Sequence, residues 1–308
     1  RLLHNLNQVS DVANLVPTTI VDSTGTPIGP IRAGDAVLVA TTSVDHAAQL
    51  TRALADHHTL AWLGLIRQEP FLGLKLWTLI DYQFDLPDVH PIFRPVEIPD
   101  SLGRIVADHG LAQARISSFN RAAHIGDFLN GSRRGQVDHE DRFITHYQPP
   151  TSVANDPTGG VRQLEQLTLL RIHSGSYPLI VVNFDAVDRV ADSGNFDATI
   201  SAASAVDHAL NTIAETTLAS GGALIITADH GNAESLLPSR GAHHHTASGV
   251  PWIVATAANR RTTRVAPNRL AFPAGLPDHQ HSLADIAPTI LGLLGIAKPS
   301  TMTGKSLV

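Results

Sequence analysis

The chain has 308 residues, 43% of them hydrophobic and 16% charged, with a formal net charge of −6 at pH 7. That composition excludes a disordered chain and leaves room for two ordinary domains with sizeable cores. The acidic balance without a basic stripe gives no reason to expect nucleic acid, and no apolar run approaches the roughly 18 residues of a membrane span. The absence of cysteine excludes disulfides, thiolate metal sites and a cysteine nucleophile, and fits an intracellular compartment. Lys75, Lys298 and Lys305 are the only lysines, so arginine carries nearly all the positive charge. A start at Arg1 is expected from cleavage of an organellar (mitochondrial) presequence or from trimming of a longer chain, with the cytoplasm as the other compartment.

Residues 1–16 read as a helical or irregular lead-in. Thr18–Asp22 and Ile28–Ile31 are extended runs around a Gly/Pro turn, which predicts a hairpin. Ala36–Ala40 is a buried strand candidate, and a helix is expected from about Val44 to Asp56. Residues 60–98 hold short apolar runs ended by prolines, and Pro95 and Pro99 flank a domain boundary. From Asp100 onward strand and helix alternate. A helix to about His109 is followed by a strand at Gln113–Ile116. Residues 127–158 read as surface loops with a short ribbon. A helix lies within Gly159–Ser174, and Pro178–Phe184 is a strong strand.

Thr199–Ser220 is a long amphipathic helix with Ile200, Ala203, Val206, Leu210 and Ile213 on one face. Strands at Ala223–Thr227 and Val250–Ala255 and a helix from Asp285 to Leu294 complete the series. The alternation predicts an α/β fold with a mainly parallel sheet.

The strand at Ala223–Thr227 ends abruptly in Ala228-Asp229-His230-Gly231-Asn232. Ligands in open α/β sheets bind just past the carboxyl ends of strands. Asp229 and His230 there offer one oxygen and one nitrogen donor, a mix that suits zinc or manganese; the alternative is a cap and a surface hydrogen bond. Asp188 and Asp192, four apart after the strand ending at Phe184, share one face of a helical turn, where solvation alone would also explain them. His243-His244-His245 precedes the strand at Val250 and, by itself, reads equally well as surface decoration. Leu283–Ile290 reads as a helix packing on the sheet. Gly304-Lys305-Ser306 lacks the upstream glycine of a phosphate-binding loop, and Asn130-Gly131-Ser132 is a glycosylation sequon by pattern only.

Taken together, several segments stand in the order and spacing of a known family. They are Asn183-Phe184, Asp188, Gly194-Asn195, Thr227–Asn232, His245-Thr246, Val250-Pro251, Leu283–Thr289 and Met302–Leu307. They resemble the C-terminal half of cofactor-independent (2,3-bisphosphoglycerate-independent) phosphoglycerate mutase, a glycolytic isomerase of the alkaline phosphatase superfamily. Ile28–Ile31 and Gly34–Val37 look like the end of that enzyme's inserted transferase-type domain. The resemblance implies a remnant of that substrate-gripping domain at residues 1–98. It implies an alkaline-phosphatase-like, metal-binding domain at 99–308, with a mainly parallel sheet lacking its first strand.

It further implies one or two Mn2+ (or Zn2+) ions, with Asp188 and His245 at one site and Asp229 and His230 at the other. Asp192 stands where the family has a histidine ligand, and Arg121 where it has an active-site lysine. The substrate-gripping segment corresponds to Ser43–Ala48, including Asp45, and Ser43 and His46 replace arginines. Each charged hydrogen bond so lost costs about 1.5–3 kcal/mol of binding.

No residue matches the family's serine nucleophile, so no catalytic nucleophile is assigned. The chain is expected to be a catalytically silent structural subunit whose partner protein chains cover the edge left by the absent strand. The alternative is a working mutase, binding phosphoglycerate, whose nucleophile-bearing half comes from elsewhere.

Overall fold

A computed structural model describes residues 20–41, 47, 50–51, 54–55, 73–81, 88–94, 96–133, 135–146, 156–236, 245–257 and 281–308. These fall into two compact units, one within Val16–Glu97 and one within Ile98–Val308. Among the described residues no helix is long and apolar enough to cross a membrane.

The first unit is a parallel three-stranded sheet in the order β1 (Ala36–Val39), β2 (Lys75–Ile80), β3 (Val89–Phe93). Ahead of β1 the chain reverses at Asp22, whose Oδ1 accepts from the Thr24 and Thr26 backbone N–H groups at 2.8 and 3.0 Å. This turn closes the expected hairpin with a single bridge between Val21 and Pro27. Along β2 the pleat buries Leu76 and Thr78 and exposes Lys75 and Trp77. Leu76 packs with Val39, Leu74, Ala47 and Leu54. Ala47, Leu50, Thr51, Leu54 and Ala55 are helical, on the segment expected to be a helix. Ser43, Asp45 and His46 lie outside the described residues.

The second unit is built on a parallel sheet in the order β5 (Glu140–Ile144), β4 (Gln113–Ser117), β6 (Leu179–Val182). The strand β5 corrects the expectation of surface loops and a ribbon over 127–158. Its sequence, Glu-Asp-Arg-Phe-Ile, looks solvent-facing because two of its charges are spent on a buried network. The Glu140 side chain is fully buried, accepting from Arg142 Nε at 2.5 Å and from Asn130 Nδ2 at 2.6 Å. Arg142 also holds Asp127 at 2.9 Å. Beside them, fully buried Arg115 donates to Gln113 Oε1 at 2.6 Å, while Gln113 Nε2 reaches the Gly103 carbonyl at 2.8 Å. Burial pushes the Arg115 guanidinium down to about 10, against the pull of Glu140 and with a push from Arg142.

Helix α1 (Leu102–Asp108) and helix α5 (Ile286–Leu293) bury Leu102, Ile105, Val106 and Leu291 against Leu179 and Ile296. Each such fully buried aliphatic side chain contributes about 1.5–3 kcal/mol. Helix α2 (Pro157–Ser174) starts two residues before the expected Gly159. Asp156 caps it, accepting from Thr158 and Gly159 N–H, with proline at the first helical position and left-handed Gly175 (φ 62°) just past its end.

Helix α3 (Ala186–Ala191) and helix α4 (Phe196–Ala219) pack with α2 around Val161, Ala186, Val190, Ala202 and Ala209. This corrects the buried face of α4. Ile200 and Ala203 are exposed, and the buried row runs through Thr199, Ala202, Ala209 and Ile213, with Val206 half-buried. Ala202 and Ala209 on that row are small enough to lie against α2 and α3, and Ile213 fills the end of the row.

The strands β7 (Leu224–Thr227) and β8 (Trp252–Ala255) form a separate antiparallel pair. Among the described residues β6 pairs only with β4, β7 pairs only with β8, and no strand joins β6 to β7. Val181, Val182, Ile225 and Ile226 are accordingly only half-buried.

The C-terminal tail is tied back over α5. Buried Asp285 accepts from the Lys305 N–H at 2.8 Å and the Ser282 N–H at 2.9 Å. Gly304 crosses so close to the Ala284 carbonyl that a Cβ there would strike backbone, which accounts for the glycine in Gly304-Lys305-Ser306 without any phosphate.

Two outcomes follow from these packed charges. Glu140→Gln leaves Arg115 and Arg142 without their shared carboxylate and is expected to destabilise the fold by about 3–5 kcal/mol in denaturant unfolding. The Lys305 and Ser282 N–H groups outweigh burial and hold the Asp285 carboxyl below its ordinary 3.8. A carboxyl depressed on folding stabilises above its unfolded pKa, and that stability is lost as pH falls through the folded value. Protection factors of the 302–308 amides, corrected for intrinsic exchange, should therefore fall only below about pH 3.8, and in Asp285→Asn they should already be low at neutral pH.

Candidate metal centre

Because β4 lies between β5 and β6, the segments leaving the carboxyl ends of β4 and β6 emerge side by side. The Ser118 hydroxyl donates to Asp185 Oδ2 at 2.6 Å, and Arg189 stands 3.7 Å from the same oxygen. One short turn onward, Arg121 Nη2 donates to Asp188 Oδ2 at 2.5 Å, with both side chains largely buried.

The other wall comes from the loop after β7. Buried Asn232 donates from one amide nitrogen to Asp188 Oδ1 at 2.6 Å and Asp192 Oδ1 at 3.0 Å. The i, i+4 spacing of the two aspartates thus places them on one donor, and Asn232 Oδ1 is buried without a hydrogen-bond partner among the described residues. His230 stacks on His245 with ring centroids 3.6 Å apart and planes 19° from parallel. His245 Nε2 lies 3.7 Å from Asp188 Oδ1.

The loops that carry the two histidines are bound to each other. Gly231 and Thr246 form an antiparallel bridge, with Thr246 N–H donating to the Gly231 carbonyl at 2.7 Å. Glu234 spans both loops, accepting from the Asn232 N–H at 2.7 Å and from the Thr246 hydroxyl. Burial raises the Glu234 carboxyl, but hydrogen bonds from Thr246, Ser248 and the backbone outweigh it and hold the group below its ordinary value. Gly231 has no room for a Cβ, which would collide with both Glu234 Oε1 and Thr246 Oγ1.

Of the sequence-predicted residues, Asp188, His230 and His245 come together, offering one carboxylate oxygen and two ring nitrogens within 4.8 Å of one another. That donor set, one oxygen and two imidazole nitrogens, fits a divalent cation. Where the resemblance divides the ligands between two sites, His230 here joins Asp188 and His245. Asp229 is 73% exposed and, among the described residues, approaches the His230 ring at 3.5 Å. Asp192 reaches the cluster through Asn232, and Arg121 sits on the Asp188 carboxylate. Asp45, His243 and His244 lie outside the described residues. Sequence reasoning gave no role to Asn232, Glu234 or Ser118. For Asn232 the signal was its place two residues after a candidate ligand.

The Metalloenzyme superfamily profile matches residues 6–298. The chain belongs to the metalloenzyme superfamily. It is similar to the 2,3-bisphosphoglycerate-independent phosphoglycerate mutases of Gloeobacter violaceus (33% identity over 287 residues, 91% of this chain and 51% of the relative) and Haloarcula marismortui (34% over 293 residues, 95% and 53%). The chain thus spans about half the length of the curated relatives it matches. The crystal structure of Leishmania mexicana phosphoglycerate mutase at low cobalt concentration shares the fold, with a TM-score of 0.72 and 24% identity over 92% of this chain and 52% of that one. The fold of this superfamily member is therefore the alkaline-phosphatase-like α/β arrangement, with its cluster at the carboxyl ends of strands.

Gly231→Ala forces Glu234 and Thr246 apart and so separates the loops holding His230 and His245. Isothermal titration is expected to show Mn2+ affinity reduced by about tenfold, with a stability loss of about 1–3 kcal/mol in denaturant unfolding.

Proposed function

We propose that residues 98–308 hold the cation of a metal-dependent phosphoglycerate mutase, interconverting 3- and 2-phosphoglycerate, with the nucleophile supplied from outside these 308 residues. The observation that carries this reading is the convergence of Asp188, His230 and His245 in a superfamily member whose curated relatives are phosphoglycerate mutases. A bound divalent cation supplies charge neutralisation for phosphoryl oxygens and acidifies an attacking hydroxyl.

The chain's own contribution is orientation. Asn232 turns Asp188 toward the histidines, and Glu234 keeps the two histidine loops in register. The proposed companion is a strand from another polypeptide segment that pairs with the edges of β6 and β7 left unpaired among the described residues. Half-buried Val181, Val182, Ile225 and Ile226 favour an apolar strand there.

A second reading, a catalytically silent structural subunit, draws support from Asp192, Ser43 and His46 and from the guanidinium seated on Asp188. The two separate on native material assayed for intact mass, metal content and 31P NMR exchange between 3- and 2-phosphoglycerate. The mutase reading expects Mn2+-dependent exchange that Asp188→Asn lowers by about a thousandfold or more. No exchange in material that contains the companion segment and added Mn2+ overturns it in favour of the silent subunit.

A further inference from the structure

Asp188 is the sole carboxylate among the three clustered donors, and both of its oxygens are already engaged by the chain. Oδ1 takes the Asn232 amide at 2.6 Å and faces His245. Oδ2 takes the Arg121 guanidinium at 2.5 Å, with the two side chains 23% and 18% exposed. The second guanidinium nitrogen, Nη1, lies 3.5 Å from His124 Nε2, so the group is held from two sides.

An amide is neutral and leaves the carboxylate's charge free for a cation. A guanidinium is not: it stays protonated at any working pH and makes directional hydrogen bonds to carboxylate oxygen. In a partly buried setting its charge is only weakly screened, so a second cation arriving at Asp188 meets repulsion as well as a shared ligand.

We propose that Arg121 is a built-in counter-cation that competes with the divalent ion for Asp188. It holds the cluster together without metal and lowers the site's affinity for metal. The inference rests on the reading of Asp188, His230 and His245 as a cation site, and goes beyond it in assigning Arg121 an opposing role. Both functions come from one contact. Without metal, the ion pair neutralises a partly buried carboxylate that would otherwise lie beside Asp192 with only Asn232 between them. With metal, the guanidinium must leave Oδ2 or share it. A methionine of similar length keeps much of the packing and removes the charge, and a lysine keeps the charge but loses the fork.

The test uses Mn2+ binding by EPR of the free ion and thermal unfolding with and without Mn2+, on wild type, Arg121→Met, Arg121→Lys and Asp188→Asn. Arg121→Met is expected to bind Mn2+ about tenfold more tightly or better than wild type, to unfold at lower temperature without metal, and to regain that loss when Mn2+ is added. Arg121→Lys should fall between the two, and Asp188→Asn should not bind. Equal or weaker Mn2+ affinity in Arg121→Met, with Asp188→Asn still abolishing binding, overturns the competition and leaves the cation site standing. Absence of Mn2+ binding in wild type and Arg121→Met alike overturns the cation site and the competition together.

Discussion

The site depends on the burial of β4 between two parallel neighbours. All five residues from Gln113 to Ser117 are buried, yet three of them are Gln, Arg and Ser. A strand so polar is costly at the centre of a sheet unless its charge is compensated. Arg115 donates to Gln113 and lies in the field of Glu140, which also takes Arg142 and Asn130, while Arg115 Nε and Nη1 are buried without a hydrogen-bond partner among the described residues. The register that aligns Gln113 with Glu140 on one side also aligns it with Leu179 on the other. That register decides where β4 and β6 stop, and so which residues meet beyond them. Ser118 with Asp185 and Arg121 with Asp188 are each 67 residues apart in sequence.

At the meeting point the electrostatics concentrate on one carboxylate. Asp188 is addressed by a guanidinium, an amide and an imidazole, and each comes from a different loop. The loops after β4, β6 and β7 and the loop before β8 are therefore coupled through a single side chain. The Glu234 clamp ties the last two together by hydrogen bonds that hold its carboxyl below its ordinary value. The neutral Asn232 amide and the Glu234 clamp keep the donors close together before any cation arrives, which reduces the ordering cost of binding one, in opposition to the charge of Arg121.

Much of this was legible in the sequence. The apolar runs at 179–182 and 224–227, each stopping in polar residues, located the strand ends. The four-residue spacing of Asp188 and Asp192 announced their common face. The charged strand β5 was not legible. Period and polarity both assume that charge faces water, whereas Glu140 and Arg142 satisfy one another inside. On α4 the expected stripe holds at Ile213, which is buried, and in part at half-buried Val206 and Leu210, whereas Ile200 and Ala203 face outward and Ala202 and Ala209 are buried where two other helices press on that face. The place of Asn232 two residues after His230 marks it as a neighbour of the site, but its role exists only once two aspartates 40 and 44 residues away are placed beside it.

The break between β6 and β7 bears on how the cluster is assembled. Asp188 follows one edge strand, and His230 follows the other. In the described residues these two strands share no hydrogen bond, and the hydrogen bonds that join the segments beyond their ends are from the Asn232 side chain to Asp188 and to Asp192. Backbone ladders hold position more stiffly than a handful of side-chain contacts, because each ladder bond fixes two chains at once. A strand inserted between β6 and β7 would therefore satisfy two open edges and add backbone ladders to these side-chain contacts. Its loop would also leave at the same end of the sheet if it ran parallel to β6. The proposed arrival of the nucleophile and the rigidity of the cation site would then have a single structural cause.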